Sequence, residues 1–504
     1  SRGLGDVYKR QMCTHRDSRG SLHYRRRNDQ IYRHQSLHCY NSSTSYHDKD
    51  ATLQDIIEKA LKSHNADYLE LRIEETERST LRYRGRDLEE ISQTTGLGGC
   101  VRAAVNGGWG FVSFNDLSQL QDRIAMAIRQ ARLVGSTHTN LAEVKPTISI
   151  SETQFKADPR LTTLQEKKRI LDRYLELLWT EPKTQSAVLA YSDSYRKVHY
   201  GNNVGTYISS HRSDVNFRAV SIAREGGEVQ QAGISMGSLG DFTLMENLYD
   251  EVAALPKKAL EFLKAPPVKG GEYPVVLDPI LAGVFIHEAF GHLSEADHVY
   301  ENLNLQEIMT LGRRFGGKHL NVVDGAAIPN LRGSYEYVDE GFPATRTELI
   351  RDGLLVGRLH SRETAAKMGD TPTGNARAIK YRFPPIVRMT NTIIEPGEAT
   401  FDDLISDIKL GVYCGNWYGG MTSMEQFTFS AGEAHMIRNG RIAELVRPVL
   451  LSGNVFVTLE NLDAIGNDLD INQGGGCGKG GQSPLAVSNG SPHIRLKRCL
   501  VGGG

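Results

Sequence analysis

His287 and His292 lie five positions apart in FIHEAFGHLSEAD, Phe285 to Asp297. No other feature of the chain constrains its fold as tightly. Just upstream, YPVVLD reads as a short buried strand. It ends in Asp278, a natural N-cap, followed by Pro279, a natural first helical residue. The helix is therefore expected to run through ILAGVFIHEAFGH. On an α-helix, positions i and i+4 differ by about 40° and positions i and i+5 by about 140°. The common metal helix, H-E-x-x-H, uses the first spacing; this chain uses the second. On an ideal helix these two histidines cannot share one ion. Three arrangements are open. A π-bulge adds a residue to the turn and realigns them. Alternatively the helix stops near Gly291, a good C′ residue, and His292 reaches back from the next turn. Or the helix stays straight, and Glu288, His292 and Glu295, spaced four and three, share one face as ligands.

Imidazole nitrogen and thiolate sulfur hold zinc at about 2.0–2.3 Å, and a catalytic site keeps one position for water. His287 and His292 supply two such donors, and Cys477 is a candidate third. Five of its six nearest neighbours are glycine, so the backbone there can approach an ion closely. Glu288 is the candidate general base for a water attacking a polarised carbonyl. His298, Glu295 and Asp297 read as surface or supporting groups rather than ligands. The plain reading is satisfied polar residues on a half-buried helix and a small buried thiol.

At 504 residues the chain exceeds one ordinary core, so several domains are expected. Its formal net charge of -1 gives no overall field toward nucleic acid or an anionic membrane. No apolar run approaches the roughly 18 residues of a spanning helix. The six cysteines show no repeating spacing, which reads as free thiols in a reducing, cytoplasmic compartment. Residues 1–50 are expected to be a disordered or artefactual leader. Within it, Asp6 to Gln11 back-translates to a string resembling a sequencing-library transposon end, so 1–11 reads as translated adaptor. The Arg- and His-rich remainder could alternatively be a basic arm for nucleic acid.

From Ala51 onward the pattern is α+β. A helix is expected from about Thr52 to His64, then an alternating strand, DYLELRIEE. Hairpins are expected around Gly85 and at Asn106-Gly107. Further helices are expected at Asp116 to Leu133, Leu161 to Trp179 and Glu246 to Leu263, with strands between the last two. APPVKGGEYP, Ala265 to Pro274, reads as the linker, because paired prolines and paired glycines oppose both helix and central strand. The expected domains are thus 51–265, a mixed N-terminal domain with antiparallel strands, and 266–504, a largely β domain carrying the metal helix. Asp352-Gly353 and Asn439-Gly440 read as two-residue hairpins, and the segment around Cys477 as a glycine-rich loop.

Five segments in order, HEAFGHLSEAD, DEGFPATRTELIRDGLLVGRL, TPTGNARA, RMTNTIIEPGE and GNDLDINQGGGCGKGGQSPLAV, resemble the TldD/PmbA family, in particular its TldD-like branch. The resemblance covers Ala51 to Gly504 and is densest after residue 270. It implies a two-domain fold and a zinc metallopeptidase, cytoplasmic, acting on small or unfolded peptides. It further implies His287, His292 and Cys477 as zinc ligands, Glu288 as base, and a homodimer or a heterodimer with a TldE/PmbA-like subunit. No membrane or nucleic-acid partner is expected. The peptide is expected to bind extended, as an added strand. Asp339-Glu340-Gly341 and Thr373 to Arg377 are candidates for the cleft wall. The alternatives are a non-catalytic subunit with a structural metal, and a nucleic-acid-associated regulator. The glycine-dense GGGCGKGGQ and the following SPLAVSNGSP depart from the family pattern and bear on the shape of the substrate pocket.

Overall fold

The computed structural model describes residues 46–135, 140–151, 154–423 and 425–503. The expectations for the leader up to residue 45 lie outside them. The first helix, α1 (Tyr46–Lys62), begins some residues before the expected Thr52. It is followed by β1 (Tyr68–Arg84), β2 (Asp87–Val105), β3 (Gly108–Phe114), α2 (Leu120–Val134) and β4 (Ile148–Ile150). Next come α3 (Leu164–Leu177), β5 (Thr184–Asn202), β6 (Tyr207–Glu225), β7 (Glu228–Ser238) and α4 (Tyr249–Lys264). The seven strands form one sheet in the order β3-β2-β1-β5-β6-β4, with β7 also on β6. The turns follow the residues. Asn106 and Gly107 both take positive φ, 48° and 81°, as a two-residue hairpin of this twist requires.

Strand β1 explains how the halves meet. Side chains alternate across a strand. Leu69, Leu71 and Ile73 pack with α1 and α2, and Leu81 and Tyr83 pack with α3 and α4. All five are odd-numbered, so both helix pairs cover one face. The even-numbered Glu70, Arg72 and Glu74 are buried as well. They face the C-terminal half, where Arg72 Nη1 lies 3.2 Å from Asp339. Arg102 bridges Glu70 at 2.9 Å and Glu340 at 3.5 Å. Arg196 on β5 reaches Asp339 at 2.9 Å. At this face the halves meet through buried ion pairs. Such an arrangement specifies register, because a slipped pairing strands charges away from water.

After Ala265 the chain builds different sheets. Five strands pair in a closed ring: Leu410–Ser423, Gly271–Leu277, Ile494–Gly503, Val449–Asn454, Gln426–Arg438 and back to the first. Closure removes free edges. A second sheet runs Leu354–Leu355, Arg346–Arg351, Val322–Gly325, Asn391–Ile394, Ser488–Ser491, Asp470–Asn472. The hairpins at Asp352-Gly353 and Asn439-Gly440 form as expected, all four residues with positive φ.

The expected linker needs correction. Gly271 to Pro274 belong to strand β8 (Gly271–Leu277), which lies between two neighbours. Pro274 is tolerated because register on one side shifts between Leu496 and Cys499. On the other side, pairing starts only at Val275. No amide is demanded of the proline at that bulge. The Cys477 segment is also corrected. It is no loop but a two-stranded hairpin, Gly476–Lys479 with Gln482–Ala486, turning at Gly480 and Gly481 with φ of 56° and 74°. Among the described residues no helix is long and apolar enough to cross a membrane.

Asp339 offers a test of the interface. It accepts from Arg196 and the Ala378 amide and ion-pairs with Arg72, and its alanine variant leaves two guanidiniums short of a counter-charge. Asp339→Ala is expected to lower unfolding free energy by about 3–5 kcal/mol in chemical denaturation. The Glu444→Ala control, which breaks an exposed pair with Arg438, is expected to shift the curve little. Equal small shifts would contradict an interface specified by buried charge.

Candidate metal centre

Helix α5 (Pro279–Ile286) starts as its residues dictate. The Asp278 carboxylate accepts from the Leu281 amide at 2.7 Å, and its second oxygen accepts from the Asn416 amide at 2.8 Å. Pro279 occupies the first turn, and Leu281 to Ile286 are all buried. The helix then widens. His287–Gly291 is a π turn, in which the His292 amide donates to the His287 carbonyl, and a 3₁₀ turn, His292–Ser294, ends it. Of the three arrangements open to the sequence, the chain adopts the bulge. Gly291 is not a left-handed cap, for its φ is -56° and ψ -48°. It is needed for space, since a Cβ there would sit 2.0 Å from the Met389 sulfur.

The added residue brings the two imidazoles together, with ring centroids 5.4 Å apart and planes at 79°. The Cys477 strand delivers its sulfur 3.5 Å from His292 Nε2. One ring nitrogen from each histidine and the Cys477 sulfur all lie within 4.8 Å of one another. Donors on a tetrahedral ion would be about 3.5 Å apart, so small side-chain movements complete such a site. His287 Nδ1 is buried without a hydrogen-bond partner. Two imidazoles, one with a buried nitrogen lacking a partner, and a thiol fit a divalent metal ion. This is the one such cluster among the described residues.

Burial alone would raise the Cys477 thiol, but hydrogen bonds and charge from His287 and His292 outweigh it and bring the thiol down to about 4. Burial likewise opposes the imidazolium at His292, yet Glu295 and the Cys477 sulfur raise it well above the usual histidine range. The centre thus favours a thiolate, the form that binds metal. Glu288 Oε2 lies 3.9 Å from His292 Nε2, and its side chain is 26% exposed, so it borders the cluster and reaches solvent.

Glu295 is not a member of the cluster. It is fully buried, and Oε2 lies 3.1 Å from His292 Nδ1, the nitrogen opposite the one facing Cys477. The straight-helix ligand set, Glu288, His292 and Glu295, is therefore not formed. His298 Nδ1 is 3.7 Å from the same oxygen, and Asp297 Oδ1 is 2.6 Å from Lys479 Nζ.

The candidate cleft-wall turns make buried polar contacts. Asp339 and Glu340 are spent on the interface between halves. Asn375 donates to Asp324, and Arg377 is fully buried. Arg377 donates to the carbonyls of Met389 and Ala486, behind the Cys477 hairpin. Arg388, also fully buried, donates to the Cys477 carbonyl at 2.8 Å and the Gln482 carbonyl at 3.2 Å. Neither arginine's part was evident in the sequence. The available signal was an arginine within an otherwise apolar or small-residue run, IVRMT and GNARA.

Comparison with known proteins agrees in three segments. The PmbA/TldA metallopeptidase domain 1 matches residues 69–134, the central domain 157–265 and the C-terminal domain 270–503. A metalloprotease of Synechocystis sp. is 48% identical over 443 residues, which is 87% of this chain and 95% of that protein. A zinc metalloprotease TldD homolog of Saccharolobus solfataricus is 32% identical over 426 residues, 83% of this chain and 92% of that one. In fold, the crystal structure of TldE from Thermococcus kodakarensis superposes with a TM-score of 0.70 at 17% identity, covering 90% of this chain and all of that one. With the three family models matched over most of the chain and a relative 48% identical over 87% of it, the protein belongs to the PmbA/TldA metallopeptidase family.

Proposed function

We propose that this chain is a zinc-dependent peptidase hydrolysing small or unfolded peptides, with His287, His292 and Cys477 as metal ligands and Glu288 as general base. The observation that carries the reading is a three-donor cluster with a free carboxylate at its rim. Three protein ligands leave a position open, as hydrolysis requires, whereas structural zinc sites are closed by four. Glu295, the candidate fourth ligand, turns its oxygen to the far nitrogen of His292. That speaks against the purely structural-metal subunit.

Zinc held by His287, His292 and Cys477 would supply Lewis-acid polarisation of the scissile carbonyl and lower the pKa of an attacking water. Glu288, at the rim, would accept the attacking water's proton and pass it to the departing amine. Burial of His287 and Cys477 keeps bulk water from competing for the donors. An extended peptide adding a strand at a sheet edge gains affinity from its backbone, with little side-chain preference. Strict selectivity at several positions of a peptide library would refute that binding mode. A TldE-like partner or a second copy completes the proposed assembly. The four cysteines among the described residues are all free, in keeping with a reducing, cytoplasmic setting.

Glu288→Ala is expected to retain zinc by metal analysis and to lose peptide turnover about 100- to 10,000-fold. Cys477→Ser is expected to lose the metal itself. Full turnover by Glu288→Ala would end the general-base assignment. In protein stripped of metal, the Cys477 proton is bound far more weakly than in an unfolded chain. Its thiolate therefore stabilises the folded form fully above the ordinary thiol value of 9.0. That contribution fades as pH falls toward about 4. Ultraviolet thiolate absorbance, taken as wild type minus Cys477→Ser, should disappear with a midpoint near 4. A midpoint near 9.0 would contradict the electrostatics of the cluster.

A further inference from the structure

The two segments that bring the donors together come from distant parts of the chain, and one side chain joins them. Lys479 follows Cys477 by two positions on the same strand, with the register shifting between them. Its side chain is 9% exposed. An ammonium has three N–H donors and no acceptor; Lys479 donates to two acceptors and ion-pairs with a second carboxylate. Nζ lies 3.1 Å from Glu295 Oε2, 2.6 Å from Asp297 Oδ1 and 2.9 Å from the Val387 carbonyl. Glu295 Oε2 is the oxygen that faces His292 Nδ1.

We propose that Lys479 and Glu295 are a positioning pair: Lys479 holds the Glu295 carboxylate against His292 Nδ1 and ties the Cys477 strand to the end of the π turn, so the metal cluster is assembled before an ion arrives. The proposal rests on the metal reading above and adds to it which residues set the affinity. Three features support it. Glu295 is fully buried, and a buried carboxylate needs a fixed cation nearby. A carboxylate behind a ligating histidine fixes its tautomer and ring orientation, leaving Nε2 to face the ion. Lastly, Asp297 ties Lys479 to the segment just past the π turn, so the latch grips that segment at two points. The contact therefore links the His292 and Cys477 segments directly, in addition to any bond through the ion.

The test uses the full chain as wild type, Lys479→Met, Glu295→Gln, the double variant and Asp297→Asn. Zinc affinity is measured by competition with a chromophoric chelator. Cobalt-loaded samples report the thiolate-to-metal absorption band, and metal-free melting curves report the fold. Lys479→Met and Glu295→Gln are each expected to weaken zinc about 10- to 100-fold, with a shifted cobalt band and a metal-free melting transition still cooperative. If the two act as one unit, the double variant binds no more weakly than the worse single variant. Asp297→Asn, which releases the latch at its outer end, shifts affinity in the same direction by a smaller factor. Wild-type affinity in Lys479→Met, or losses that multiply in the double variant, overturns the pair. Should Lys479→Met fail to fold, unchanged affinity and band in both Glu295→Gln and Asp297→Asn overturns it as well. Failure of wild type itself to bind zinc overturns the metal reading instead.

Discussion

One hydrogen bond decides the character of this protein, that from the His292 amide to the His287 carbonyl. It closes a turn one residue wider than an α-helix and carries the second histidine around to the first. A regular helix would point the two side chains about 140° apart. A π turn costs packing and hydrogen-bond quality, so it persists where its surroundings hold it. Here they do so on every side. Leu281 to Ile286, Ala289 and Phe290 are buried. Met389 fills the space beside Gly291, and the Ser294 hydroxyl donates back to the Phe290 carbonyl at 3.0 Å.

The rest of the C-terminal half serves to bring a strand to that turn. The closed ring supplies β8 and hence Asp278, which fixes where the helix starts. Arg388 holds the Cys477 hairpin from behind through backbone carbonyls, and Arg377 holds its returning strand. The N-terminal sheet holds the Asp339-Glu340 turn through Arg72, Arg102 and Arg196. Charged groups thus do the holding, and apolar clusters on either side do the burying. The supports of the proposed centre are buried, while its rim, at Glu288, reaches solvent.

Much of this was legible in the sequence. The donors stood out because few residue types bind such an ion and Cys477 sits amid glycine. The Asn-Gly and Asp-Gly turns stood out because their backbone demands positive φ. The N-cap at Asp278 and the helix start at Pro279 followed from local chemistry. What stayed hidden depends on distant partners. The bulge was one of three arrangements, and Met389, which packs against it at Gly291, is remote in sequence. DYLELRIEE showed its alternation, but not that the other half covers the face carrying Glu70, Arg72 and Glu74. The buried partners of Arg377 and Asn375 stayed hidden for the same reason. The Cys477 hairpin read as a loop because glycine gives no side-chain alternation. Pro274 read as a linker residue because a bulge in a partner strand is invisible locally.

The central claim is that a widened turn and a distant strand assemble two imidazoles and one thiolate around one ion, with a position left for water. X-ray absorption at the zinc edge of the loaded protein tests it most directly. The account predicts a single sulfur at about 2.3 Å and three nitrogen or oxygen neighbours at about 2.0–2.1 Å, two of them with the outer-sphere pattern of imidazole. A shell without sulfur, or one with two sulfurs, would contradict it.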